Sequence, residues 1–219
     1  MQAPRAAVLC LVVASVVGAS CRTASKVDSP PIVQPGAPGQ PSRTISAEKA
    51  ADLSQVEYIG ADIKFMQGMI GHHAQAVEMV ALIPTHTTRE DLRLLGQRID
   101  VSQNDEIKMM QQWLQARRQQ VPGVNAIHMH GATLMPGMLS EEEMSRLSQA
   151  KGLEFDRLFL EGMIKHHEGA LTMVRELFAT PGAGQDVAIF SFASDVDADQ
   201  RMEIERMGGM LDAILKERK

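Results

Sequence analysis

Phe65-Met66-Gln67-Gly68-Met69-Ile70-Gly71-His72-His73-Ala74-Gln75-Ala76-Val77-Glu78-Met79-Val80 decides the fold, because the chain carries it twice. The second copy is Phe159-Leu160-Glu161-Gly162-Met163-Ile164-Lys165-His166-His167-Glu168-Gly169-Ala170-Leu171-Thr172-Met173-Val174, 94 residues later, with nine of the sixteen positions identical. An Asp stands three residues before each copy, at Asp62 and Asp156, and each copy contains Met-x-x-His-His.

The surrounding pattern is helical. Ser46 before Ala47-Glu48-Lys49 reads as an N-cap with acid in the first turn. One long helix is expected from there to Ile83, stopped by Pro84. Thr87 or Thr88 caps a second helix, over about 88–120, ended by Pro122-Gly123. Ser140-Glu141-Glu142-Glu143 is a capping box that opens a third helix reaching Ala179, before Pro181-Gly182. A fourth runs to the C-terminus. The second and fourth helices repeat too. Gln103-x-x-Glu106-Ile107-x-x-Met110-x-x-Trp113-Leu114 matches Gln200-x-x-Glu203-Ile204-x-x-Met207-x-x-Met210-Leu211 at an offset of 97. The repeat unit is therefore a helical hairpin, spanning about 46–120 and 140–219. One hairpin cannot bury both its apolar faces. The expected fold is all-α, an antiparallel four-helix bundle built from two repeated helical hairpins.

At 100° per residue, Asp62, Phe65, Met69, His73, Ala76 and Val80 share one stripe, with His72 at its edge. Asp156, Phe159, Met163, His167, Ala170 and Val174 do the same in the other copy, with His166 at the edge. Counting back from each turn places Gln103 and Glu106 level with Met69 and Met66, and Glu203 level with Glu161 and Met163. Buried polar side chains require partners, which can be one another or a metal ion. Gly68, Gly71, Gly162 and Gly169 are poor helix formers. They leave room for close helix approach or a ligand, or they are tolerated surface positions.

The donor set favours a soft metal. Di-iron carboxylate bundles present Glu-x-x-His inward, whereas the residue three before His72 is Met69 and three before His166 is Met163. Met-x-x-His sets a thioether and an imidazole on one helical side, a pairing suited to Cu(I). The chain holds 15 Met, while its two cysteines, Cys10 and Cys21, both lie near the N-terminus. The expected domain thus offers sulfur only as thioether, which tolerates an oxidising compartment. A second Met/His group, His128-Met129-His130 with Met135 and Met138, falls between the hairpins. It reads either as a metal-capturing loop or as apolar plugs over the bundle end. His86 stands apart and is expected on the surface.

Residues 1–21 read as an export signal: Arg5, an apolar run from Ala6 to Val17, then small residues before Cys21. Val17-Gly18-Ala19-Ser20-Cys21 resembles a bacterial lipobox, with Cys21 as the lipidated N-terminus; plain cleavage after Ala19 or Ser20 is the alternative. Residues 22–45, with Pro30, Pro31, Pro35, Pro38 and Pro41, read as a disordered tether, leaving 46–219 as the metal-binding domain. The net charge of -5 and the lack of a basic run give no electrostatic footprint for nucleic acid.

Asp-x-x-Phe-x-x-x-Met-Ile-x-His-His-x-x-Ala in both copies, Met135-Pro136-Gly137-Met138 and Gln-x-x-Glu-Ile-x-x-Met together resemble a ferritin-like family of exported bacterial proteins. That family includes the CopM-like periplasmic copper-binding proteins, and the resemblance covers about residues 55–215. It implies a ferritin-like four-helix fold and copper binding in copper tolerance. The residues it carries over are Met69, His72, His73, Met163, His166 and His167, with His128, Met129, His130, Met135 and Met138 as further candidates. The expected function is sequestration or transfer of Cu(I), with Ag(I) as a second cargo, in the periplasm or cell envelope. The partners are the metal ion and a copper-transfer protein, and the membrane is met only through the lipid anchor. No catalytic residues are required. Two rivals are a ferritin-like iron or manganese oxidoreductase using Asp62, Glu106, Asp156 and Glu203 with the histidines, and a metal-free structural bundle.

Overall fold

The computed structural model describes residues 30–34, 42–51, 57–123 and 134–217. The chain divides into two compact units, Met1–Asp52 and Leu53–Lys219. The export signal and Cys21 lie outside the described residues, as do His128, Met129 and His130. In the first unit, β1 (Ile32–Gln34) pairs antiparallel with β2 (Arg43–Ile45), Ile32 opposite Ile45, and α1 (Ala47–Ala51) follows. The expectation of a featureless tether is corrected for these residues. A short β-ladder forms, although Ile32 and Val33 remain exposed.

The described part of the second unit carries five helices: α2 (Gly60–His86), α3 (Glu90–Ala116), α4 (Glu141–Gln149), α5 (Gly152–Ala179) and α6 (Val187–Glu217). α2 packs along α3, α5 along α6, and the two hairpins meet through α2 and α5. Among the described residues the protein is mostly helical, consistent with an all-α fold, with the β-ladder as its sheet.

Several boundaries differ from the sequence expectation, each for a local reason. The helix expected over 46–83 is two separate pieces, α1 and α2, with Ile59 extended just before α2. Asp62 caps α2, its carboxylate accepting from Ile59 N at 2.7 Å and from Gly184 N at 2.7 Å. Pro84 does not stop α2, which continues to His86. A proline close to a helix end is tolerated where the carbonyls of the last turn, which have no intrahelical donor, find others. Here Thr87 N donates to Ile83 O at 3.2 Å, and the His86 ring nitrogen Nδ1 lies 2.7 Å from Leu82 O. His86 is accordingly buried rather than exposed, with Nε2 2.9 Å from Ser148 O and its ring against Phe155. The third expected helix breaks into α4 and α5. Its capping box forms as read, Ser140 Oγ accepting from Glu143 N and Glu143 Oε2 from Ser140 N. Ala150 and Lys151 then turn extended, and Gly152 restarts the helix at φ 56°, where a side chain would be strained.

Two apolar clusters fill the second unit. One gathers Phe65, Met66, Met69 and Ile70 of α2 with Met110 and Leu114 of α3, Val174 of α5 and Val196 of α6. The other joins Met79 and Ile83 of α2, Leu95 and Ile99 of α3, Phe159 and Met163 of α5, and Met207 of α6. Between them, each long helix contributes two buried or half-buried polar residues. These are His72 and His73, Gln103 and Glu106, His166 and His167, and Gln200 and Glu203. A polar layer therefore crosses the middle of the core.

Candidate metal centre

Adjacent residues on a helix diverge by 100°, and each His-His pair uses that divergence. The second histidine turns to its own hairpin partner. His73 Nε2 meets Glu106 Oε2 at 2.5 Å, and His167 Nε2 meets Glu203 Oε2 at 2.7 Å. The first histidine turns to the other hairpin, so that the rings of His72 and His166 lie 3.8 Å apart, tilted by 40°. All four rings are fully buried, His72 and His166 included, although the helical pattern sets those two at the edge of the stripe.

The hydrogen bonds fix the tautomers of the central pair. His166 Nε2 is 2.9 Å from the His72 carbonyl, and His72 Nε2 is 3.0 Å from the Pro136 carbonyl. A carbonyl only accepts, so Nε2 carries the proton and Nδ1 of the neutral ring keeps a bare lone pair. Burial pushes the pKa of His72 down to about 3, with the neighbouring His73 adding to the fall and the Pro136 carbonyl opposing it. Burial also holds His166 well below its ordinary value, reinforced by His72, His167 and His73. Both rings are neutral at neutral pH.

Nδ1 of His72, His73, His166 and His167 has no protein partner, nor have Gln103 Oε1 or either amide atom of Gln200. A buried polar atom left unsatisfied costs about 1–3 kcal/mol. Seven such atoms gather in this layer. The pattern also matches how histidine binds metals: one ring nitrogen free, the other oriented by a carbonyl or carboxylate. Among the described residues no three His, Cys, Asp or Glu side chains converge as a cation site. A cation in this layer would draw its remaining ligands from the unpartnered Gln103 and Gln200 oxygens or from a thioether. Met69 and Met163, one turn before each His-His pair, are fully buried on opposite sides of the layer.

The carboxylates sit one to two helical turns from the levels the sequence implies. Glu106 stands beside His73 rather than Met66 or Met69, and Glu203 beside His167 rather than Met163. Pro84 and Pro181 are not the turning points of the hairpins. α2 instead runs to His86, and α6 starts only at Val187. Asp62 is occupied as a cap, and Asp156 lies near the opposite end of the unit, its pKa raised by burial, against the pull of a Thr87 hydrogen bond.

The connector after the first hairpin reaches the same layer. Gln75 clamps Leu139, its Nε2 donating to Leu139 O at 2.9 Å and its Oε1 accepting from Leu139 N at 2.7 Å. Gly137, at φ 76°, lies directly on Gly169, where a Cβ would collide with the Pro136 carbonyl. Met138 is buried by this docking and Met135 half-buried. Nothing in the helical periodicity singles out Gln75, and Gly169 was legible only as one glycine among four.

A family model described as a domain of unknown function, DUF305, matches residues 62–211. The chain belongs to the DUF305 family. The match takes in both hairpins, from Asp62 to Leu211. A DUF305 protein from Streptomyces coelicolor, described as secreted, is similar at 27% identity and TM-score 0.62, over 70% of this chain and 93% of that one. A DUF305 fragment from Deinococcus radiodurans is similar at 30% identity and TM-score 0.60, over 71% and 98%. CopM in its Cu(II)-bound form is similar at 26% identity and TM-score 0.57, over 69% and 96%. CopM is also among the similar structures in Cu(I)-bound and Ag-bound forms. No curated protein matches this DUF305 chain. Among the described residues no helix is long and apolar enough to cross a membrane.

Proposed function

We propose that this DUF305 protein binds Cu(I), and Ag(I) in its place, outside the cytoplasm, and sequesters or transfers the ion in copper tolerance. The observation that carries the reading is the set of four buried imidazoles whose Nδ1 atoms lack partners while Nε2 is held by a carbonyl or carboxylate. Neutral imidazole and thioether are ligands that Cu(I) accepts. His72, His73, His166 and His167 with Met69 and Met163 form the interior ligand set, and Met135 and Met138 of the connector are further candidates outside it. His128, Met129 and His130 belong to the same connector sequence and join the candidates on composition. The Cu(I), Cu(II) and Ag forms of the similar protein CopM support the same choice of cargo.

In this reading the four long helices form an antiparallel, ferritin-like four-helix bundle around the polar layer, and residues 46–219 are the binding domain. Residues 1–21 direct export, Cys21 carries the lipid anchor, and 22–45 link the anchor to the domain. The resident place is the periplasm or cell envelope, and the partners are the ion and a protein that exchanges it. No catalytic step is assigned. The iron or manganese alternative would need Glu106 and Glu203 as ligands, but both are already engaged by His73 and His167.

The test is titration of the full chain with Cu(I), under reductant, against a chromophoric chelator. Uptake that falls in His72→Ala/His166→Ala and in His73→Ala/His167→Ala supports the interior set. Absence of Cu(I) uptake by the parent protein ends the proposal.

A further inference from the structure

We infer that a second soft-metal site, separate from the buried histidines, lies in the groove over Gly68, with the thioethers of Met135 and Met173 as donors and Cu(I) or Ag(I) as the cation. Three elements meet there. Gly68 comes from the middle of α2, Met173 from α5 and Met135 from the connector. A Cβ on Gly68 would stand 3.1 Å from the Met135 sulfur and 3.4 Å from the Met173 methyl. The missing side chain is what lets both thioether arms fold onto α2. A mid-helix glycine costs about 1 kcal/mol relative to alanine, and here that cost leaves an opening bordered by the Met135 sulfur and the Met173 methyl. The groove holds about 290 Å³, with Phe65, Pro136 and Leu177 in its walls and Lys64 and Glu176 bringing charge to it. Met135 is only half-buried.

The duplication supplies an internal control. Gly162 is the same position in the second copy, and Met79 corresponds to Met173. There the connector contributes Leu139 in place of a methionine. A Cβ on Gly162 would meet Leu139 Cδ2 at 3.1 Å and the Met79 methyl at 3.3 Å, and Met79 is fully buried. Gly162 also borders a groove, of about 170 Å³, and Met173 is buried as Met79 is, so the copies differ in what the connector brings: a methionine over Gly68, a leucine over Gly162. Two neutral thioethers suit a monovalent soft ion, which accepts low coordination numbers, and offer little to hard cations. The groove also adjoins the interior ligands. Pro136, the residue after Met135, gives its carbonyl to His72 Nε2 at 3.0 Å. The backbone that carries Met135 thus leads directly into the residue that anchors His72.

The plainer account is that Met135 and Met173 only seal the apolar cluster they touch. Leucine would seal it equally well, which makes the two accounts separable. The inference rests on the proposed function for its choice of cation. The full chain, labelled with ¹³C-methyl methionine, is titrated with Ag(I), and Cu(I) stoichiometry is measured by chelator competition. The Met135 and Met173 methyl resonances are expected to shift. Met135→Leu/Met173→Leu should lose one equivalent of Cu(I) and keep the rest. Gly68→Ala should weaken that equivalent without removing a sulfur, while Gly162→Ala leaves it unchanged. Methyl shifts confined to Met69 and Met163, or full stoichiometry in the leucine double variant, would overturn the groove site and leave the interior reading standing. No uptake by the parent would overturn both.

Discussion

Gln75 and Gly169 occupy the same position in the two copies of the repeat, and both hold the connector by opposite means. Gln75 reaches out with an amide that pairs with both backbone groups of Leu139. Gly169 withdraws its side chain so that the Pro136-Gly137 backbone can lie against the helix. The histidines diverge in the same way. His166 donates to a helix carbonyl of the opposite hairpin, whereas His72 donates to the connector. Of the two carboxylates, Glu106 is 20% exposed and receives Ser102 Oγ at 3.3 Å, while Glu203 is 9% exposed with Arg98 of the first hairpin at 3.6 Å. Duplication set the chemistry of the polar layer. The connector, which has no duplicate among the described residues, made its two sides unequal.

The largest expected effect probes the one property the two central histidines share. Their folded-state pKa values lie below the unfolded value near 6.5. Below that pH the unfolded chain takes up protons that the folded chain refuses, so stability falls with acid until the folded pKa is reached. Each such proton costs about 1.4 kcal/mol per pH unit. The urea midpoint of metal-free protein should therefore drop steeply between pH 6.5 and 4, and His72→Asn or His166→Asn should each remove part of that slope. A slope changed by only one of the two would show that the pair is not equivalent in the folded state.

Next come the connector contacts. Gln75→Ala leaves two buried backbone groups of Leu139 unpaired, at a cost of about 2–4 kcal/mol. Gly169→Ala forces a methyl into backbone that has no rotamer to give, at a cost of about 1–3 kcal/mol. Denaturant unfolding of both single variants and the double variant would measure their coupling. A double variant that costs less than the sum means that both positions hold the connector as one body. Simple additivity would break the comparison.

The smallest effect concerns the carboxylates. Arg98 is 53% exposed, so Arg98→Ala should change stability by no more than about 0.5 kcal/mol, read from the same unfolding curves. A larger loss would mean that Glu203 depends on its cation in a way that Glu106 does not.

The repeat made the hairpins, the inward stripes and the all-α class legible, because helical periodicity and capping are local. The Ser140 capping box was equally readable. The depth of Glu106 and Glu203 was not, since it turns on where a helix ends, and Pro84 sits inside the last turn with its neighbouring carbonyls satisfied by Thr87 and His86. His86 itself looked like surface because its partners, Leu82 and Ser148, come from a helix end and from α4. The clamp by Gln75 and the cradle at Gly169 depend on the path of the connector, which carries no periodic signal. The candidate ligands were legible as residue types. The freedom of their Nδ1 atoms became visible only with the partners of Nε2 in place.

The division of the core by the polar layer bears on how the chain could be cut. Each apolar cluster draws on both hairpins, so neither hairpin contains a complete hydrophobic interior. A chain severed between Gly123 and Leu134 would yield two fragments, each displaying the face the other lacks. Such fragments should be insoluble or unfolded alone and should reassemble when mixed, with the four imidazoles brought together only in the reunited pair.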